Sequence, residues 1–125
     1  TLPSGRHLHY VSAKLERDAK GREQITYWGV DQKTKRWGKQ TTWGGKLLEN
    51  IVQAFSRDCL CDLMLKLDAR GYPQIMLVHD EDVMDIPKNF GSLDEVLGLM
   101  KEPIAWALGL PLKGAGYRNE WYYKD

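Results

Sequence analysis

The chain has 125 residues, of which 42% are hydrophobic and 28% charged, with a formal net charge of +1. This composition is typical of one soluble globular domain. No apolar run approaches the roughly 18 residues of a transmembrane helix, so we expect no membrane partner. No signal peptide is apparent, so we expect a cytoplasmic setting.

Charge is distributed unevenly along the chain. Residues 1–50 carry 10 Lys/Arg and 5 Asp/Glu, whereas residues 51–125 carry 8 Lys/Arg and 12 Asp/Glu. A basic first half favours a polyanionic partner, and an acidic cluster behind it favours a divalent cation.

Three short segments in the first third of the chain predict β-strands. Residues 6–12, 24–30 and 36–43 are rich in aromatic and β-branched side chains and are separated by the polar turns DAKGRE and DQKTK. His7 and His9 fall on one face of the first segment, and such a pair can ligate zinc. Since no third ligand is nearby in the sequence, an exposed strand face is the better interpretation.

A long helix is predicted over residues 45–70. Apolar residues recur at helical spacing in its first half, whereas beyond Arg57 they occupy most sides, which predicts nearly complete burial of that half. A polar row lies opposite the first apolar stripe, and a solvated face is its ordinary interpretation. This row comprises Lys46, Glu49, Asn50, Gln53 and Arg57.

The rest of the chain predicts a hairpin and a second helix. Segments 73–79 and 83–87 flank the acidic residues 80–82, which predicts a β-hairpin. Ser92 followed by Glu95 is a capping box that opens a short amphipathic helix, and residues 116–125 are a candidate last strand. We therefore expect an α+β fold in which an antiparallel sheet with the acidic hairpin packs on the long helix, plus the short C-terminal helix.

The predicted hairpin carries an unusual cluster of charge. The stretch VHDEDVMDIP places four carboxylates, those of Asp80, Glu81, Asp82 and Asp85, next to His79. Crowded carboxylates repel one another unless a proton or cation intervenes. Mg²⁺ typically uses one or two protein carboxylates together with substrate phosphates, and pairs of such ions support phosphoryl transfer. An exposed acidic turn without a ligand is the plain alternative.

These motifs resemble the C-terminal palm of family A DNA polymerases, the DNA polymerase I family, in its phage and prophage branch. VHDE ends an apolar strand and follows a long helix that carries ENIVQAFSRD. The resemblance extends over LPSGRHLHY at Leu2–Tyr10, the stretch Tyr27–Asp58 and the ending EPIAWALGLPLKGAG, and so covers nearly the whole chain. HDE alone is a weak signal, whereas HDE after ENIVQA in this order is specific.

The resemblance implies catalytic roles for two acidic residues. Asp80 matches the motif C aspartate that holds the catalytic Mg²⁺ ions, of which the full-length parent uses two. Glu81 matches its acidic neighbour, an auxiliary group near the metal ions. In this chain alone we expect the metal site to be weak or empty.

The same resemblance implies nucleic-acid contacts. His79 matches a histidine that contacts the primer strand near its 3′ end. Gln53 matches a glutamine that contacts the minor groove of new base pairs, where acceptors occupy nearly common positions. Arg57 and Arg6 are further candidate DNA contacts. The polar row of the long helix then becomes the face turned toward duplex DNA.

The chain departs from the family pattern at two positions and lacks two motifs. Glu49 stands where many members have Asn, and Asp82 stands where an apolar residue is usual; this second charge fits either an open turn or relaxed selection in a prophage remnant. Motif A, which supplies the second aspartate, and the fingers helix of motif B are absent from the 125 residues. We therefore expect a segment of an enzyme that cannot polymerise alone.

The implied setting follows from the family. Partners of the full-length parent are primer-template DNA, a deoxynucleoside triphosphate and the remainder of the polymerase chain, in a bacterial prophage host or a phage-infected cell. Since the long helix shares its apolar side chains with that remainder, we expect an exposed apolar patch in this segment, or self-association that hides it.

Two other functions stay open at this point. One is a non-catalytic duplex-DNA-binding module or degenerate prophage remnant, which binds weakly through the basic first half. The other is a small metal-dependent nuclease that uses His7, His9 and the acids of the hairpin.

Overall fold

The computed structural model describes residues 1–123, and it confirms the predicted α+β fold. The strands form two antiparallel sheets, β1-β2-β3 and β4-β5, so the acidic hairpin is a sheet of its own. The chain divides into two compact units, Thr1–Phe55 and the part from Ser56 onward, and α1 contributes to both. In chain order the elements are β1 (Val11–Arg17), β2 (Glu23–Val30), β3 (Trp37–Thr42), α1 (Gly44–Ala69), β4 (Gln74–Val78), β5 (Glu81–Met84) and α2 (Leu93–Lys101).

Neither helix of the described chain combines the length and the hydropathy needed to cross a bilayer. The candidate last strand over residues 116–125 is wrong as far as Tyr123, because this stretch is irregular. Lys124 and Asp125, which were included in that candidate strand, lie outside the described residues.

The first strand lies further along the chain than its composition predicts. The predicted strand over residues 6–12 is wrong, because only its last two residues belong to β1. The Asp18 carboxylate accepts hydrogen bonds from the backbone N–H groups of Lys20 (2.8 Å) and Arg22 (2.9 Å), which closes the turn between β1 and β2. The turn of a hairpin fixes the register of its two strands. Because this turn follows Arg17, the residues directly before it pair with β2, beginning with Arg17 and Glu23.

In the first unit, the N-terminal segment lies on α1. The Arg6 guanidinium donates to the carbonyl oxygen of Ala54 at 2.9 Å, and the Asn50 amide donates to the Tyr10 hydroxyl at 3.0 Å. The predicted exposed apolar patch is present here, because Leu48, Ile51 and Val52 on α1 are 61%, 45% and 53% exposed.

In the second unit, the last turns of α1 pack against α2. The core residues Leu63 and Leu67 are one turn apart and face one side of α1, as their spacing of four requires. The expectation that this half is buried nearly all round is wrong at Leu65, which is 72% exposed. Leu65 lies two residues from each of the other two and therefore points to the opposite side.

A tyrosine hydroxyl completes the capping box of α2. The Ser92 hydroxyl accepts from the backbone N–H of Glu95 at 3.1 Å, which confirms the predicted cap. In an ordinary capping box the Glu side chain accepts directly from the backbone N–H of the Ser. Here the hydroxyl of buried Tyr72 lies between these two groups. This hydroxyl accepts from the backbone N–H of Ser92 at 3.2 Å and donates to the Glu95 carboxylate at 2.6 Å. The bond to Glu95, together with burial, raises the pKa of Tyr72.

We predict that Tyr72→Phe lowers the free energy of unfolding by about 1–2 kcal/mol, since it removes the hydrogen bond to the Glu95 carboxylate and leaves the N–H of Ser92 without its partner. Because the folded-state pKa lies above the ordinary phenol value of about 10, the contribution of the hydrogen bond to Glu95 is complete below about pH 10 and is lost as the pH rises through the raised pKa. Urea denaturation of both proteins at pH 8 and above pH 10 measures this. The difference between their free energies of unfolding should become smaller at high pH.

Tyr27→Phe, which changes a tyrosine that does not contact Glu95, is the matched control, and its stability difference from wild type should not narrow in this way. An equal gap between Tyr72→Phe and wild type at both pH values would contradict the role of the Tyr72–Glu95 hydrogen bond.

Candidate active site

The hairpin turn is shorter than the sequence predicts. Val78 pairs with Glu81 across the two strands, so the turn consists only of His79 and Asp80. His79 adopts the left-handed conformation with φ of 57°, which two-residue hairpin turns require at their first central position. Both turn side chains are exposed, and the carboxylate of Asp80 therefore stands at the tip of the hairpin.

Arg57 fixes this turn from the helix. Its guanidinium donates to the backbone carbonyl of His79 at 3.2 Å, and both residues belong to the second unit. The bond ties α1 to the hairpin tip, next to the residue in the left-handed conformation. Arg57 was predicted as a DNA contact; the structure adds a positioning role that its place in the polar row did not reveal.

The tail of the chain contacts the other hairpin acid. The Tyr122 hydroxyl donates to the Glu81 carboxylate at 3.2 Å. Partial burial and the nearby Glu81 raise the pKa of Tyr122. Arg118 anchors the tail by donating to the carbonyl of Lys88 at 2.9 Å. Sequence reasoning missed Tyr122, for which the cluster of aromatic residues near the C-terminus was the available signal.

Asp82 lies in β5, which overturns the interpretation of an open turn. Its strand partner is Leu77. Within the described chain, both carboxylate oxygens are buried and neither has a hydrogen-bond partner. Burial raises the pKa of Asp82 because it disfavours the charged form.

The other predicted DNA contacts belong to the first unit. Gln53 is exposed on α1, and Arg6 is exposed although its guanidinium also holds the N-terminal segment on the helix. Glu49, one of the two departures from the family pattern, forms an ion pair with Lys46 at 2.9 Å. The negative charge of Glu49 is therefore partly offset by its neighbour on the helix.

Metal-ligating side chains are dispersed in the described residues. Within residues 1–123, no group of three or more His, Cys, Asp or Glu residues lies close enough together to hold a metal ion. The rings of His7 and His9 lie 6.0 Å apart, and the Nδ1 of His7 is 2.9 Å from the Thr1 hydroxyl. Of the two residues in the hairpin turn, Asp80 contributes an exposed carboxylate.

Comparison with known proteins gives one informative match. Over 125 aligned residues the chain is 50% identical to a DNA polymerase of Bacillus phage SP02, and the match includes 99% of this chain. The chain spans only 19% of the length of that polymerase. No protein-family profile matches the chain, and no solved structure matches it. The similarity thus relates this chain to about a fifth of a phage DNA polymerase.

We predict that Asp82→Val stabilises the chain by about 1 kcal/mol at neutral pH, because it removes a buried carboxylate that lacks a partner and places a strand-forming residue there. Asp85→Val is the matched control, since Asp85 is exposed. Urea denaturation measures both. A loss of stability in Asp82→Val would contradict the description of this carboxylate.

Proposed function

We propose that this chain is the C-terminal palm segment of a family A, template-directed DNA polymerase. Two observations support the proposal. The chain is 50% identical over nearly its whole length to part of a phage DNA polymerase. Its HDE motif forms a tight turn that presents the Asp80 carboxylate to solvent. The second observation carries the catalytic part of the proposal.

In the proposed reaction, the 3′-hydroxyl of the primer attacks the α-phosphate of a deoxynucleoside triphosphate and releases pyrophosphate. Asp80 is the residue that would hold Mg²⁺, and an exposed single carboxylate fits an ion that completes its coordination with substrate phosphates and other ligands. When bound, Mg²⁺ supplies charge stabilisation for the attacking and leaving oxygens. Glu81 would stay close by as an auxiliary group, oriented by the Tyr122 hydroxyl.

Two residues would position the nucleic acid near this carboxylate. His79 precedes Asp80 in the same turn, and its exposed ring is suited to contact the primer strand near its 3′ end. Arg57 would keep the turn in place through the His79 carbonyl. The exposed charge of its guanidinium would also favour a phosphate nearby.

On α1, the amide of Gln53 would contact the minor groove of newly formed base pairs. An amide is suited to this task because it can donate to the acceptors that every base pair presents there. The ion pair between Lys46 and Glu49 reduces the repulsion that a carboxylate on this face would exert on phosphates. Arg6, which is exposed, would be a further contact.

The proposed enzyme needs groups that these 125 residues do not contain. A second aspartate and a basic fingers helix would come from the remainder of the polymerase chain, which is thus a partner along with primer-template DNA. We expect the isolated chain to bind Mg²⁺ weakly and to be inactive, and we expect the full-length polymerase to act in a phage-infected or prophage-carrying cell.

In the full-length polymerase that carries this segment, we predict that Asp80→Asn lowers primer extension by at least about 100-fold, because it removes the charge that faces the metal ion. Affinity for primer-template DNA should change little. Extension of a labelled primer and a binding titration measure the two quantities.

Asp85→Asn is the matched control, since it removes an exposed carboxylate five residues away and should leave extension near the wild-type rate. Near-normal extension by Asp80→Asn would contradict the proposal. An inactive wild-type protein that still binds duplex would favour the non-catalytic DNA-binding module instead.

A further inference from the structure

The three-stranded sheet of the first unit has two chemically different faces. Its inner face is packed: Tyr27 forms an edge-to-face contact with Tyr10 at a centroid distance of 5.1 Å, and the Tyr10 hydroxyl accepts from Asn50 of α1. Side chains alternate along a strand, so Trp28 and Val30 point away from this packing. The face on which they lie is called the outer face below.

Large apolar side chains are exposed on the outer face. Val11 is the strand partner of Trp28, and Val30 is the partner of Trp37, so all four side chains lie on the same side of the sheet. Their exposed fractions are 49%, 45%, 52% and 60% in the order Val11, Trp28, Val30, Trp37. The two tryptophans occupy diagonal positions on neighbouring strands, about 7–8 Å apart. The outer face therefore presents two neighbouring indole rings to solvent.

Cations surround these rings. Lys39 is the strand partner of Trp28, and Lys14 pairs with Thr26 on the same face. Glu16 is an acid of this face and forms an ion pair with Lys39, so these two charges offset each other and Lys14 remains as the uncompensated cation of the pair of lysines. Residues 11–42 as a whole carry 8 Lys/Arg and 4 Asp/Glu, which gives the sheet and its turns a charge of +4.

The turn between β2 and β3 concentrates positive charge beside the rings. It joins Val30 to Trp37, and Lys33, Lys35 and Arg36 are all exposed on it. The acid of this turn is Asp31, whose carboxylate accepts from the backbone N–H groups at positions 33 (2.9 Å) and 34 (2.7 Å) and is thus directed toward the backbone. The three cations therefore border the tryptophan end of the outer face.

We propose that the outer face binds single-stranded nucleic acid, with bases stacked on Trp28 and Trp37 and phosphates paired with the cations of the β2–β3 turn. Exposed aromatic rings bordered by Lys and Arg are the combination that binds single strands without sequence preference. A duplex has its base faces stacked internally and cannot offer them to the two rings. A protein partner would account for the apolar side chains but not for the surplus of cations around them.

The proposal does not depend on polymerase activity, and the 125-residue chain itself is the material for its test. Fluorescence anisotropy of a labelled twelve-nucleotide thymidine oligomer measures the dissociation constant. Trp28→Ala and Trp37→Ala should each raise this constant roughly 5- to 150-fold, the range for loss of one base–aromatic stack. Trp121→Ala is the matched control, because it removes an exposed tryptophan (68%) from the other unit.

A second variant tests the charge without altering the sheet. Replacing Lys33, Lys35 and Arg36 by Gln changes only turn residues, and three lost phosphate contacts should reduce the slope of log K against log salt by about 2. The proposal is overturned if these variants bind the oligomer like wild type, or if a duplex of the same length binds as tightly as the single strand. It is also overturned if Trp28→Ala instead abolishes self-association of the chain, since a protein would then cover the outer face.

Discussion

The two-residue turn at the hairpin tip is the constraint on which the proposed site depends. With Val78 and Glu81 paired, only His79 and Asp80 remain to reverse the chain, and neither side chain can return into the sheet. His79 must then adopt a left-handed conformation, which is unfavourable for a residue with a side chain. The hydrogen bond from Arg57 to the carbonyl of that residue holds the turn in this geometry.

The base of the hairpin is also held, by a hydrogen bond to α1 and by packing against the core. The Gln74 amide donates to the carbonyl of Met64 at 2.9 Å, which joins the start of β4 to α1. At the same end of the hairpin, Met84, the strand partner of Gln74, packs against the core that Leu67 and Tyr72 share with α2. A carboxylate that must meet a metal ion needs a support of this kind, because small displacements of a catalytic group are costly.

The two units differ in how far they bury their apolar side chains. The second unit has a core between α1 and α2, whereas in the first unit the apolar stripe of α1 and the outer face of the sheet stay exposed. Exposed apolar surface of this extent is typical of surfaces that bind something. We assign the outer face to single strands and the α1 stripe to the remainder of the polymerase chain, and each assignment is a proposal.

Local sequence signals predicted the elements whose formation depends on near neighbours. The periodicity of α1, the cap at Ser92 and the existence of the acidic hairpin are confirmed, because each depends on residues within a few positions. The predicted position of β1 was wrong, since the turn at Asp18, which lies further along the chain, sets the register of β1 and β2.

Contacts between distant residues could not be predicted. Tyr72 meets Glu95 across 23 positions, Tyr122 meets Glu81 across 41, and no local pattern encodes either distance. In the sequence, Asp82 stands out because the family usually has an apolar residue at this position. The structure was needed to show that Asp82 lies in a strand and that its carboxylate is buried. The assignment of Asp80 rests on the resemblance, to which the structure adds exposure at a fixed turn.

Metal-directed cleavage of the proposed full-length polymerase tests the proposed role of Asp80 most directly. Fe²⁺ in place of Mg²⁺, with ascorbate and peroxide, generates radicals that cut the backbone beside the bound ion. The account predicts cleavage at residues 79–81, protection by excess Mg²⁺, and loss of this cut in Asp80→Asn. Cleavage confined to other parts of the chain, or an unchanged cut in the variant, would contradict it.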